Sequence, residues 1–224
     1  MNPIRPADAV LLAAPADALA ADFVNTRYWR GSKSPTETLS GPEALIGWIA
    51  DAALLPPAAF GAIRETWLAD PAAGNHAFVE ALGWREAIFR SLTAAGRGED
   101  PAPGDIALLN AALARAPARR RLYAGADSAG WEVEAPGADA AGLLAPVLWA
   151  AGDLLLGPRR TRVRQCANPA CGYLFIDDSK AGNRRWCSMS ACGNRAKAHR
   201  HYARRKAAGP GGEAAPLPGE TGRG

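Results

Sequence analysis

The residues in this chain best equipped for chemistry are Cys166, Cys171, Cys187 and Cys192, and no other cysteine occurs. Their spacing is C-x4-C-x15-C-x4-C, two close pairs separated by a medium loop. A close pair can offer two thiolates from one turn, and a loop of this length can bring two pairs together as a tetrahedron around zinc. A redox dithiol fits less well, because no C-x-x-C is present. Four thiolates leave zinc no open position for water, so the expected cofactor is one structural Zn2+ per chain. His199 and His201 are alternative donors in principle, but they read better as exposed or phosphate-facing residues of a helix. A unit of about 40 residues builds little core, so the metal would supply most of its folding free energy.

The last cysteine runs into "NRAKAHRHYARRK", a helix of mostly basic and small residues. Arg195, His199, Tyr202 and Lys206 fall on one face of it. Lys197, Arg200, Arg204 and Arg205 spread over the others, an arrangement able to meet phosphates on both sides of a groove. Arg184 and Arg185, just before Cys187, would add contacts. Asn194 and Arg195 are the residues with base-reading chemistry. Asn194 has a second reading, satisfying backbone groups near the metal turn. Asp177 would serve a loop turn or orient Arg184 or Arg185.

Charge follows the same division. Residues 1–158 hold 12 basic against 18 acidic side chains, residues 159–206 hold 13 against 2, and residues 207–224 hold 1 against 2. A balance of +11 within 48 residues, joined to an acidic body, points to a polyanionic partner for one part of the chain.

The elements that must position these groups are mainly helical. Helical periodicity marks residues 40–55, 56–70, 75–96, 105–116 and 138–157. Ser40 is placed to cap the first of these, with Pro42 in its first turn. Pro146 suggests that the last helix starts near it. Residues 18–29 are apolar and of uncertain type. In 119–136, Trp131 and Val133 alternate with Glu132 and Glu134 after a turn-rich stretch, which predicts a β-hairpin. Around the cysteines, Gly172 suits a tight turn, 173–176 reads as a strand, and 184–187 reads as its partner. Knuckle, hairpin and ligand-bearing helix make a treble-clef-like order. Residues 207–224 are Gly/Pro-rich and are expected to be disordered.

Arg85 sits inside the apolar stripe of 75–96. Either it snorkels to the edge, or it is buried and paired, with Asp22 as the candidate partner. Asp22, Asn25 and Arg85 would then border a ligand pocket. His76 reads as a surface or cap residue. The body holds one histidine, no cysteine and no phosphate-cradling glycine motif, so a catalytic role is not expected. Asp8, Pro15 and Asp17 interrupt the apolar runs of the first 20 residues, so no signal-peptide core is expected. Clustered cysteines without such a leader suggest a reducing, cytoplasmic setting.

"FIDDSKAGNRRWCSMSACGNRAKAHRHYARR" resembles the CGNR zinc-finger family, whose tetrapeptide falls at Cys192, Gly193, Asn194 and Arg195. The body resembles the ABATE domain that precedes this finger, through "DFVNT" (22–26), "WREAIFRSL" (84–92), the hairpin ending "GWEVE" and "AAGDLLLG" (150–157). The resemblance covers nearly all of residues 10–206. It implies a stress-related transcription regulator with a DNA-binding finger. The expected fold is therefore α+β: a mainly helical N-terminal domain (1–158) with one β-hairpin, a small treble-clef-like zinc finger ending in a basic helix (159–206), and a disordered tail (207–224). The expected partners are nucleic acid, duplex DNA first, a small-molecule effector, and a second copy of the chain as a homodimer. No membrane is expected. The alternative function is a zinc-stabilised module for RNA or protein contacts.

Overall fold

The computed structural model describes residues 9–124 and 129–207. These fall into two compact units that part between Cys187 and Ser188.

The first unit is organised by one long helix. Helices α1 (Leu19–Val24), α2 (Pro42–Asp51), α3 (Pro57–Ala69), α5 (Pro103–Arg115), α6 (Ala140–Leu143) and α7 (Ala145–Leu156) all pack on α4 (Pro71–Arg97). Its ends are well specified. Asp70 accepts hydrogen bonds from the Ala72 and Ala73 amides at 3.1 and 3.2 Å, and Gly98 closes the C-terminus in the left-handed region at φ 75°. Its inner face carries Ala77, Ala81 and Ala87 beside Ile88 and Leu92, small residues that let several neighbours approach it closely. Helix α7 is buried from Ala145 to Ala151 and again at Leu154, which accounts for its apolar residues on every side.

The expected helices form, with shifted boundaries. Ser40 does not cap α2; Gly41 occupies the cap position without a side-chain hydrogen bond. The helix expected over 138–157 breaks at Leu144, and α7 restarts with Pro146 in its first turn. The apolar stretch 18–29 resolves into α1 and the short strand β2 (Arg27–Tyr28), which pairs with β3 (Thr36–Glu37). The hairpin is present as antiparallel β4 (Arg121–Ala124) and β5 (Ala129–Glu134), its turn lying outside the described residues. A strand not anticipated, β1 (Ala9–Leu12), pairs antiparallel with β5, giving the order β1-β5-β4. The expectation of disorder for the tail concerns residues outside those described, save Ala207.

A second hairpin continues from α7 through a 3-10 turn (Pro158–Arg162). Strand β6 (Val163–Gln165) pairs with β7 (Leu174–Ile176), Val163 opposite Ile176 and Gln165 opposite Leu174. The partner of the strand at 173–176 is thus β6 and not, as the sequence suggests, residues 184–187. The knuckle between Cys166 and Cys171 reverses the chain so tightly that its two flanks pair with each other. Residues 184–187 form no strand. The hairpin packs against α4 and α1.

In the second unit, Ser188 starts a π-helical turn (Met189–Gly193), its hydroxyl accepting from the Ala191 amide at 3.1 Å. Helix α8 (Asn194–Ala207) follows directly. Among the described residues, no helix is long and apolar enough to cross a membrane.

Candidate metal centre

The knuckle is built from backbone bonds around its two cysteines. The Cys166 amide donates to the Tyr173 carbonyl at 2.9 Å, and the Cys171 amide donates to the Asn168 carbonyl at 2.9 Å. The Asn168 side chain accepts from the Ala170 amide at 3.1 Å. Gly172 stands at φ 69°, where a Cβ would lie 2.8 Å from the Arg30 Cβ. The turn therefore needs glycine both for its conformation and for space. The loop leading to Cys187 is tied back by the Ala167 amide, which donates to the Arg185 carbonyl at 2.8 Å.

The four cysteines stand as thiols and not as disulfides, three of them buried and Cys187 half-buried. Their sulfur atoms lie within 4.8 Å of one another, and those of Cys171 and Cys187 are 3.7 Å apart. Zinc–sulfur bonds of about 2.3 Å imply tetrahedral edges of about 3.8 Å. A disulfide would need sulfurs about 2.05 Å apart. The donor set therefore fits one zinc ion held by Cys166, Cys171, Cys187 and Cys192. The bound ion would cross-link the knuckle to the start of α8. With four thiolate ligands it has no site for substrate or water.

The loop 177–184 is held by Asp177, a fully buried side chain. Its Oδ1 accepts from the Ser179 amide at 3.0 Å and hydroxyl at 2.6 Å, and its Oδ2 accepts from the Arg184 amide at 2.9 Å. The Ser179 hydroxyl, outweighing burial and helped by the two amides, holds the carboxyl below the usual carboxylate range. Asp177 is thus the loop-turn residue that the sequence suggested.

The body contributes a clasp on this hairpin. Asn25, 7% exposed, donates from Nδ2 to the Leu174 carbonyl at 2.7 Å and accepts the Leu174 amide on Oδ1 at 2.9 Å. Its amide imitates an adjoining strand against β7. Further along, the Arg30 amide donates to the Cys171 carbonyl at 3.2 Å, and the Gly31 amide to the Ala170 carbonyl at 3.3 Å. A Cβ on Gly31 would stand 2.0 Å from the Pro169 carbonyl oxygen. Trp29, just before this contact, sits in the left-handed region at φ 54°, a strained conformation for a bulky residue.

Arg85 is buried, 2% exposed, but its partner is not Asp22. Its Nη1 and Nη2 donate to the two carboxylate oxygens of Glu37 at 2.6 and 2.5 Å, its Nε to Glu86 at 3.2 Å, and its Nη1 also to the Thr26 hydroxyl at 3.1 Å. Arg30 joins from the other side, donating to Glu86 at 2.6 Å and to the Val24 carbonyl at 2.8 Å, with its guanidinium 4.0 Å above the Phe89 ring. Burial pushes the Glu37 carboxyl up. The hydrogen bonds from Arg85 and Leu39, with the charges of Arg85 and Arg27, outweigh burial and leave it below the usual range. Glu86 follows the same balance, with burial opposed chiefly by Arg30. One network therefore ties α4, β3 and the knuckle clasp together.

The cavity that Asp22 borders is lined by neither Asn25 nor Arg85. Asn25 and Arg85 are engaged in these internal bonds. Asp22 instead borders a cavity of about 310 Å³ with Leu19, Leu54 and Pro146, and burial raises its carboxyl pKa. Glu37, Glu86 and Arg30 were not singled out from sequence. Only Glu86, adjacent to Arg85, carried a local signal.

Of the basic residues proposed to meet nucleic acid, Arg184 is already engaged. Its Nε donates to the Trp186 carbonyl at 3.0 Å, its Nη2 to the Cys187 carbonyl, and its guanidinium lies 4.4 Å above the Phe175 ring. The Arg185 guanidinium lies 5.4 Å from the Trp186 ring centre, on an exposed side chain. Asn194, Arg195, Lys197 and Arg205 are exposed on α8. The side chains of Arg200 and Arg204 lie outside the description. His76 is 76% exposed and 3.7 Å from Glu80, as expected of a surface residue.

No curated protein matches the chain. Two family models do. Residues 162–205 match the CGNR zinc finger, which contains all four clustered cysteines. Residues 17–158 match ABATE, described as "Putative stress-induced transcription regulator". That match spans more than half of the chain, which thus belongs to the ABATE family and carries a CGNR zinc finger with one structural zinc site.

Proposed function

We propose that this protein is a zinc-dependent, DNA-binding transcription regulator. The observation that carries the reading is the surface of α8, where Arg195, Lys197 and Arg205 are exposed directly after the metal-ligating turn. Zinc fixes the start of the helix, and the basic side chains meet backbone phosphates. Asn194 and Arg195 stand nearest the zinc turn and are the residues for base contacts. Arg185 adds a further phosphate contact. Arg184 holds the ligand loop and contributes to DNA binding indirectly. The body senses an effector or forms a homodimer, and the protein works in the cytoplasm, where its thiols stay reduced.

The test is a mobility-shift titration of the zinc-loaded full chain against genomic duplex fragments over a range of salt. Affinity should fall steeply as salt rises, and some fragments should bind more tightly than bulk duplex. Binding without salt dependence, or equal binding to every fragment, would refute the reading. Tighter binding to structured RNA of equal length would replace DNA with RNA as the partner.

A further inference from the structure

The cavity of about 310 Å³ beside α1 has three walls. They come from residues 13–16 between β1 and α1, residues 52–54 at the exit of α2, and Pro146 in the first turn of α7. The lining is apolar, with Ala13, Ala16, Leu19, Leu54 and Pro146 in it, and among the described residues Asp22 is its one charged side chain. The volume falls at the lower end of the range for small-molecule sites, about 300–1,000 Å³.

The Asp22 carboxylate stands apart from other acids of the chain. Glu37, Glu86 and Asp177 also lose water, but their hydrogen bonds outweigh that loss. Asp105, Asp139 and Asp153 are paired with arginines. Among the described residues, no donor and no cation meets the Asp22 carboxylate, and burial alone acts on it. The residue is nevertheless exposed, so a ligand can reach it.

The surroundings select the charge of that ligand. A carboxylate repels anions, and Pro146 has no N–H to offer one. The wall at 52–54 is the carbonyl end of α2, which favours positive charge. One carboxylate is too few for a divalent metal, which takes several oxygen ligands. A single unpaired acid in an apolar lining suits an ammonium group on a short carbon chain.

We infer that this cavity binds a small organic ammonium ion. Asp22 accepts from the ammonium N–H groups, and Leu19, Leu54 and Pro146 cover the carbon chain. The ligand's role as an effector rests on the sensor reading of the body; its binding does not. Leu19, Asp22 and Asn25 follow at three-residue spacing on one face of α1. The first two line the cavity and the third holds Leu174 of the metal hairpin, so one short helix carries both the acceptor and the clasp.

The experiment titrates butylammonium chloride into the zinc-loaded full chain, with sodium chloride holding the ionic strength constant, and follows amide NMR shifts. The amides of residues 13, 14, 16 and 52–54 should move and saturate. Methylammonium should bind at least about tenfold more weakly, because it leaves three methylenes' worth of apolar wall uncovered. Asp22→Asn should weaken butylammonium about tenfold, the scale of one charge-assisted hydrogen bond. This variant should fold at least as well as wild type, since it removes a partly desolvated charge that no partner offsets. An absence of saturable shifts at these amides overturns the inference. Equal binding of 1-butanol, or unchanged butylammonium affinity in Asp22→Asn, also overturns it. Duplex affinity with saturating butylammonium, against sodium chloride, tests the sensor reading separately. Saturable binding that leaves duplex affinity unchanged keeps the ammonium site and refutes sensing through it.

Discussion

Replacing Asn25 with alanine should destabilise the protein well beyond what one small polar residue ordinarily contributes. Asn25 makes two hydrogen bonds to Leu174, at 2.7 and 2.9 Å, and Leu174 is 1% exposed. Each net bond contributes about 1 kcal/mol, and a buried backbone group left without a partner costs about 1–3 kcal/mol. Water cannot easily replace the lost amide, so the expected loss is about 2–4 kcal/mol. With a urea slope of about 2 kcal/mol per M, the unfolding midpoint should fall by about 1–2 M. Tryptophan fluorescence and circular dichroism of the zinc-loaded chain would follow it. Because Leu174 lies on the hairpin that carries Cys166 and Cys171, zinc transfer to a chromophoric chelator should also be faster in Asn25→Ala. Asn25→Asp should not rescue, since a carboxylate keeps the acceptor for the Leu174 amide but turns a second acceptor toward its carbonyl. A loss below about 0.5 kcal/mol, the range of an ordinary surface substitution, with unchanged zinc transfer, would refute the clasp.

Cys187→Ser should abolish stoichiometric zinc binding, read by metal analysis after gel filtration, and the same change should remove any duplex binding. Arg85→Leu leaves Glu37 without its buried cation, while Glu86 keeps Arg30, so a loss of about 3 kcal/mol is expected, discounted for the partial exposure of Glu37, and measurable by urea unfolding. Gly31→Ala drives a Cβ into the Pro169 carbonyl, and zinc release should be faster while the helical content of the body stays unchanged. The lowered carboxyls of Glu37 and Glu86 contribute stability that is present above their unfolded pKa, about 4.3, and is lost as pH falls through their folded values. Urea midpoints should therefore decline more steeply below pH about 4.5 in wild type than in Glu37→Gln/Glu86→Gln, compared in the same buffers so that acid release of zinc cancels.

Local signals in the chain reached some elements and missed others for identifiable reasons. The helices were legible because apolar residues recur at helical spacing over more than ten residues, and Pro146 marked the restart of α7. The β4–β5 hairpin was legible from the alternation around Trp131 and Val133. Strand β1 was not, because four residues are too few to show a period, and its pairing with β5 spans more than a hundred positions. The pairing of β7 with β6 instead of 184–187 was missed because both candidates flank a cysteine. Only the tightness of the knuckle separates them. The cap on α2 went to Gly41 because the helix starts one residue later than Ser40 requires.

What the sequence determined by itself is the metal centre and its charged neighbour. Four cysteines in two spaced pairs, followed by a run of basic residues, state their chemistry through residue type and order, which three-dimensional packing does not alter. What tertiary structure decided is the work of the polar residues in the body. Arg85 had to be paired or to snorkel, and its sequence context pointed to Asp22; packing gave it Glu37 and Glu86. Asn25 looked like a pocket residue and became the clasp on Leu174. A buried polar group takes whatever partner the fold brings within hydrogen-bonding distance, and that distance is set by contacts far apart in sequence. Asn25 and Leu174, 149 positions apart, meet because α1 and the β6–β7 hairpin pack together in the same unit.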